Sequence, residues 1–181
     1  MSLSPIVFKQ FNIPLSQVKT VKSKSYEPCE MVDAFCKSFV LPDDKRNYSS
    51  FDEMLAQKIA SYKDDAVKPV TDMLQNSSDE KNVTAGLFLL NRIIDAGAKN
   101  VADTYPIISK FNYDKSHNIQ VMLAGIYRKT QVPDAFGPLM TMFIKNAQNP
   151  VQNPFDPNEE VGGAILEYLR NSAAAKLYSD S

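Results

Sequence analysis

The sequence predicts an all-α protein, and three observations support this prediction. From Pro28 onward, apolar residues recur three or four positions apart, which is the spacing of one face of an α-helix. Helix-start and helix-stop residues separate these apolar runs. No stretch after residue 28 alternates in the Val/Ile/Thr-rich manner of a half-buried strand. The chain is 44% hydrophobic and 23% charged, which is the composition of an ordinary globular protein. Its 181 residues are enough to form one hydrophobic core, so we expect a single domain over residues 1–181.

The first 28 residues are predicted to form an extended segment that lies over the helices. Pro5, Pro14 and Pro28 interrupt this stretch, and its apolar residues have no helical period. Pro28 suits the first position of a helix, because the amide that proline lacks has no partner there. We therefore expect a first helix from Pro28 until Pro42 stops it.

Two stretches have the spacing of a capping box, in which a hydroxyl and a carboxylate three residues later satisfy free amides at a helix start. They are Ser50 with Glu53, and Ser77 with Glu80. The first predicts a helix that runs to Tyr62. A third helix is expected from Asp64 or Asp65 to the turn at 76–78, and a fourth follows the second box.

Residues 83–94 are apolar on almost every side, which predicts a helix that other helices cover. Gly97 follows where a left-handed C-terminal cap is needed. An Asn- and Pro-rich loop is expected at 146–158. The remaining predicted helices cover residues 101–111, 116–129, 134–147 and 156–177.

Three ten-residue segments align without gaps, at 83–92, 119–128 and 161–170. Each has apolar residues at positions i, i+4 and i+7 and an arginine at i+9; these arginines are Arg92, Arg128 and Arg170. A second phrase, Asp-Ala-apolar-x-Pro-apolar, begins at Asp65 and again at Asp134, where the aspartate is expected to cap a helix. Such self-similarity predicts stacked helix pairs.

These segments resemble the HEAT family of helical repeats over about residues 50–145, and the third segment extends the resemblance to the last helix. The resemblance implies a right-handed superhelix of antiparallel helix pairs. The connection at 95–105 is longer than the pattern requires, and an irregular helical bundle remains the alternative. Proteins of this family offer a concave face, built from the second helix of each pair, to an extended partner.

The overall charge of the chain argues against two classes of partner. A net charge of −1 and a pI near 5.8 give no overall attraction to nucleic acid or to an anionic membrane.

Cys29 and Cys36 are seven residues apart in one helix, too far for a disulfide, and we expect both thiols to be buried. His117 is the chain's one histidine, and we place it at a helix start without a catalytic role. We expect no metal and no cofactor.

The sequence therefore predicts a non-enzymatic, cytoplasmic protein-protein interaction scaffold that has no membrane association. The alternative is a nucleic-acid-binding or DNA-base-excising enzyme on a HEAT-like scaffold, which would need a basic face with aromatic residues. The three repeat arginines are expected to pair with aspartates or carbonyl groups of neighbouring repeats. The candidate residues for binding a protein or peptide partner are Lys68, Gln75, Lys110, Lys145 and Gln148.

Overall fold

The computed structural model describes residues 28–42, 49–150 and 156–179, with side chains of the last helix as far as residue 172. Within these residues the protein is helical, and its one β-type contact is an isolated antiparallel bridge between Val40 and Ser50. The all-α prediction is confirmed. The predicted extended segment lies outside the described residues, apart from Pro28, which begins the first helix as expected.

In the described residues, seven helices of 16 residues or fewer precede one longer helix. In chain order they are α1 (Pro28–Ser38), α2 (Glu53–Ser61), α3 (Asp64–Gln75), α4 (Glu80–Asp95), α5 (Tyr105–Ile108), α6 (His117–Thr130), α7 (Phe136–Gln148) and α8 (Pro157–Ser179). Short 3₁₀ turns flank α5 at Asn100–Thr104 and Ser109–Phe111, and another precedes α7 at Pro133–Ala135. No described helix is both long enough and apolar enough to cross a membrane.

The helices form two layers, and the chain alternates between them. In the even layer α2 contacts α4, α4 contacts α6, and α6 contacts α8. In the odd layer α1 contacts α3, and α3 contacts α5. The layers meet where α1 packs on α2, α3 on α4, and α7 on α8. Consecutive helix pairs therefore stack side by side.

The aligned apolar positions of the repeat face the core. All nine are buried, with exposed fractions of 9% or less: Val83, Leu87 and Leu90 on α4, Ile119, Leu123 and Ile126 on α6, and Val161, Ile165 and Tyr168 on α8. Each set places residues one and two turns apart on one side of its helix. The alignment thus identified the inward side of three helices.

Hydrogen bonds between the pair α3/α4 and the pair α5/α6 join residues 35 to 38 positions apart. The Glu80 carboxylate, at the start of α4, accepts from Ser116 and Asn118 at the start of α6. At the opposite end of these helices, the Lys129 ammonium lies 2.8 Å from the Asp95 carboxylate. Because starts meet starts and ends meet ends, α4 and α6 run parallel, as equivalent helices of a repeat do.

The two predicted capping boxes are wrong in detail. Asp52 caps α2, where its carboxylate accepts from the amide of Leu55, and Asp79 caps α4. Ser50 instead exchanges backbone hydrogen bonds with Val40, and the Ser77 amide bonds to the end of α3. Both serines are therefore held outside the helix start, and the aspartate two residues later takes the cap.

Two further predictions need correction. The helix expected over residues 101–111 is broken into two 3₁₀ turns and the four residues of α5. Pro106 contributes to this break, because it has no amide to continue the α-helical hydrogen bonds. Neither Asp65 nor Asp134 caps a helix: Lys63 precedes α3 without a side-chain cap, and Asp134 lies inside a 3₁₀ turn.

The C-terminal cap at Gly97 is confirmed. Its φ of 91° lies in the left-handed region that favours glycine. The amides of Gly97 and Ala98 bond to the carbonyls of Ile94 and Ile93, which is the Schellman arrangement.

Candidate partner-binding surface

The five candidate binding residues all lie on the odd layer and are exposed. Lys68 and Gln75 belong to α3, Lys110 lies in the turn after α5, and Lys145 and Gln148 belong to α7. Their local roles in the structure differ.

Lys110 has a structural role. Its ammonium donates to the carbonyls of Leu74 and Gln75 at 2.8 and 3.1 Å. A cation at this end of α3 satisfies carbonyls that have no partner within the helix. Lys110 therefore contacts Gln75, but through the backbone carbonyl of Gln75 and not through its side chain. The same hydrogen bonds join two helix pairs.

The other candidates remain accessible. The Lys68 ammonium lies 2.7 Å from the Asp72 carboxylate, but the lysine side chain is 81% exposed, and such surface pairs contribute little stability. The Lys145 ammonium lies 5.5 Å from the centre of the Tyr113 ring, which is itself 66% exposed. The Gln148 side chain makes no hydrogen bond to another described residue.

A groove between α1 and α3 opens on the same layer and was not found from the sequence. Its volume is about 310 Å³. It is lined by Cys29, Asp33, Pro69, Asp72, Met73, Asn76 and Ser77. Both helices show these residues at helical spacing, but nothing in the sequence indicates that α1 packs beside α3. The helix contacts supply that fact.

The groove combines an apolar part with acidic and polar side chains. Pro69 and Met73 supply the apolar part, and Asn76 and Ser77 supply hydrogen-bonding groups. The Asp72 carboxylate is paired with Lys68, whereas Asp33 forms no ion pair with any described residue. The groove thus carries negative charge without a matching cation at Asp33.

The two thiols differ. Cys29 is exposed at the groove, and Cys36 is 6% exposed in the core. Burial raises the pKa of Cys36 to about 11, with a smaller contribution from the charge of Asp33. The prediction of a buried thiol is right for Cys36 and wrong for Cys29, which precedes the inward residues of α1 that begin at Met31. Both cysteines are free, as their spacing predicts.

His117 and Asp64 both lie at the starts of helices. His117 is the first residue of α6, which Ser116 caps. The Asp64 carboxylate accepts from the amides of Lys99 and Asn100, and these hydrogen bonds lower its pKa. It therefore caps the 3₁₀ turn of the next helix pair. Among the described residues no group of three His, Cys, Asp or Glu side chains could hold a metal ion.

Two of the three repeat arginines pair with a neighbouring helix as expected, but their partners are glutamates and not the expected aspartates or carbonyl groups. Arg92 lies 2.9 Å from Glu53, and Arg128 lies 2.9 Å from Glu160, so both join neighbouring helices of the even layer. Arg170 differs, because its partner Glu167 is on the same helix at 3.7 Å. These carboxylates offset the positive charge that the three arginines would need in order to bind an anion.

Comparisons of the chain with family models, with curated proteins and with solved structures gave no match. The resemblance to HEAT repeats therefore stays a prediction from the sequence.

Proposed function

We propose that this protein is a non-enzymatic interaction scaffold whose odd-layer surface binds an extended segment of another protein. The observation that carries the proposal is the groove between α1 and α3. It opens on the layer that holds all five residues predicted to contact a partner.

The lining of the groove suits a peptide better than a buried small molecule. Its volume of about 310 Å³ is at the lower end of the range of roughly 300–1,000 Å³ for ligand pockets, enough for one or two side chains. Met73 offers apolar contact. The side chains of Asn76 and Ser77 each donate within the end of α3, and their oxygens can accept hydrogen bonds from the amides of a bound backbone. The mixture of an apolar centre with polar groups around it is typical of protein interfaces.

The charge of the groove favours a segment that contains lysine or arginine. Asp33 supplies a carboxylate without a partner among the described residues, and Asp72 lies across the groove on α3. Complementary charges increase the rate and specificity of association. The remaining candidates, Lys145 and Gln148 on α7, would contact the partner farther along the layer.

Cys29 provides a direct test, because it is an exposed thiol at the groove and Cys36 is buried. The folded protein is labelled at Cys29 with a maleimide-linked benzophenone and irradiated in lysate of its source cells. We expect a defined protein to be crosslinked through one segment, and that segment, synthesised as a peptide, to bind the unlabelled protein.

The matched control carries the same label on the opposite layer. In Cys29→Ser/Met54→Cys the label sits on α2, at a position that is 82% exposed. Crosslinking of the partner from position 29 and not from position 54 supports the proposal. Recovery of the same proteins from both positions contradicts it, and loss of the crosslinked material on nuclease treatment favours the nucleic-acid alternative.

A further inference from the structure

The outer side of α8 carries apolar residues that no described helix covers. Val161, Ala164, Ile165 and Tyr168 face inward and are buried. On the other side, Leu166 and Leu169 are 55% and 52% exposed. Since α8 contacts α6 and α7 and is the last described helix of the even layer, no described helix stacks on this side.

A third apolar side chain adjoins these leucines. Phe143 of α7 is 37% exposed, and its ring lies so close to Gly162 that a Cβ there would be 3.3 Å from Cε2. Leu166 and Leu169 follow Gly162 by one and two helical turns, so they share the side on which Phe143 lies. We call Phe143, Leu166 and Leu169 the end patch. A contiguous exposed patch marks an interaction surface more often than scattered apolar residues do.

Charged residues of opposite sign flank the end patch along α8. Glu159, Leu166 and Arg170 are spaced at i, i+7 and i+11, which places them on one side of the helix. Glu159 is exposed and forms no ion pair with a described residue, and Arg170 has only the 3.7 Å contact with Glu167 at 75% exposure. Glu160, by contrast, faces α6 and pairs with Arg128. The outer side of α8 therefore presents an acid, an apolar centre and a base in order.

This order of acid, apolar centre and base is complementary to the same order on an antiparallel second copy of α8. If a second helix of the same sequence lies antiparallel across the patch, its base meets the acid of the first helix, and its acid meets the base. Glu159 and Arg170 lie about 10 and 6 Å from Leu166 along the axis at 1.5 Å per residue, and their long side chains can bridge the difference. A contact that uses the same surface on both partners is the property of a two-fold dimer.

We propose that the occupant of the end patch is a second copy of this chain, with α8 packed antiparallel on α8 of the other copy. Leu166, Leu169 and Phe143 of both copies form the apolar centre, and Glu159 of each copy pairs with Arg170 of the other. This dimer leaves the α1/α3 groove uncovered and does not depend on the partner proposed for that groove.

The full chain tests the proposal by sedimentation equilibrium from about 1 to 100 μM, the range in which contacts of moderate affinity form. We expect a monomer–dimer equilibrium in the wild type. Leu166→Glu is expected to be monomeric because it places a charge at the apolar centre. Met54→Glu changes an exposed apolar residue on α2 and should dimerise as the wild type does.

Charge reversal tests the pairing itself on exposed residues, where folding is least affected. Glu159→Arg and Arg170→Glu are each expected to weaken dimerisation about tenfold, because like charges then face one another. The double variant Glu159→Arg/Arg170→Glu restores opposite charges and should dimerise within about threefold of the wild type. A wild type that stays monomeric at about 100 μM, or a double variant weaker than both single variants, would overturn the proposal.

Discussion

Tyr127 shows how one polar group is held inside the core. The residue is fully buried on α6, and its hydroxyl donates to Oδ1 of Asn112, which is 4% exposed. Burial raises the pKa of Tyr127 well above its usual range, since an ionised phenol would lose its hydration there. The neutral hydroxyl and the amide therefore satisfy one another in a region that water does not reach.

Tyr127→Phe should lower the free energy of unfolding by about 1–3 kcal/mol, because it leaves the buried Asn112 oxygen without a donor. Denaturant unfolding measures the change. Tyr105→Phe is the control: its hydroxyl donates to the carbonyl of Asp134 at an exposed site, where water can replace it. Equal losses in the two variants would contradict this view of Asn112.

The buried thiol of Cys36 makes stability depend on alkaline pH. Its pKa is raised from 9.0 to about 11 by burial, so above pH 9.0 the unfolded chain releases a proton that the folded chain retains. The stability that the protonated Cys36 thiol contributes to the folded state is fully present below pH 9.0 and is lost as the pH rises to about 11. Over this window Cys36→Ala should lose stability less steeply than the wild type in denaturant titrations. A Cys36→Ala variant whose slope equals that of the wild type would contradict this role of the buried thiol.

At the residue scale, the sequence predicted which residues are buried better than it predicted which contacts a side chain makes. Helical spacing identified inward residues such as Leu87 and Leu123, because burial follows directly from periodicity. It could not show that Lys110 holds the end of α3, because that contact joins residues 36 positions apart. Asp33 and Cys29 were missed for the same reason, since their neighbours in the groove belong to α3.

At the scale of helices, close packing depends on positions where a side chain is absent. Gly86 of α4 lies against α3, and a Cβ there would come within 2.5 Å of Met73 Cε and 2.7 Å of Leu74 Cδ2. Leu74 is completely buried, so it cannot move aside without disturbing the core. The contact between α3 and α4 therefore requires glycine.

Gly86→Ala is expected to destabilise the protein by about 1–3 kcal/mol through overpacking. Gly137→Ala is the matched control, because a Cβ at this exposed position of α7 meets nothing within 4 Å. There alanine should be neutral or should stabilise by up to about 1 kcal/mol, since it restricts the unfolded chain more than glycine does. Thermal unfolding of both variants separates the two effects, and a stable Gly86→Ala protein would mean that α3 and α4 pack less tightly.

Helix boundaries show where local patterns fail. The spacings Ser50/Glu53 and Ser77/Glu80 fit a capping box, yet each has an aspartate between its members that is an equally good cap. Contacts outside each helix start decide which residue caps it. Ser50 exchanges backbone hydrogen bonds with Val40, and the amide of Ser77 bonds to the carbonyl of Leu74 at the end of α3. At Ser116 the predicted helix start is confirmed, because its hydroxyl accepts from the amide of Ile119.

For the whole molecule, the internal repeat was the most informative pattern. It aligned α4, α6 and α8, which lie next to one another in the even layer, and it assigned the candidate residues to helices of the odd layer. The repeat could not predict the groove or the end patch. Both arise where the pattern is broken, at α1, which has no aligned segment, and at α8, which no further described helix covers.

The claim that a partner binds the odd layer is tested most directly by the affinity of the crosslinked segment for two charge variants. Asp33→Lys places a cation in the groove, and Met54→Lys places one on the even layer. We predict that Asp33→Lys weakens binding of the synthetic segment about tenfold or more, while Met54→Lys stays within about twofold of the wild type. Equal affinities of all three proteins, measured on variants that unfold at the wild-type temperature, would contradict the proposed binding surface.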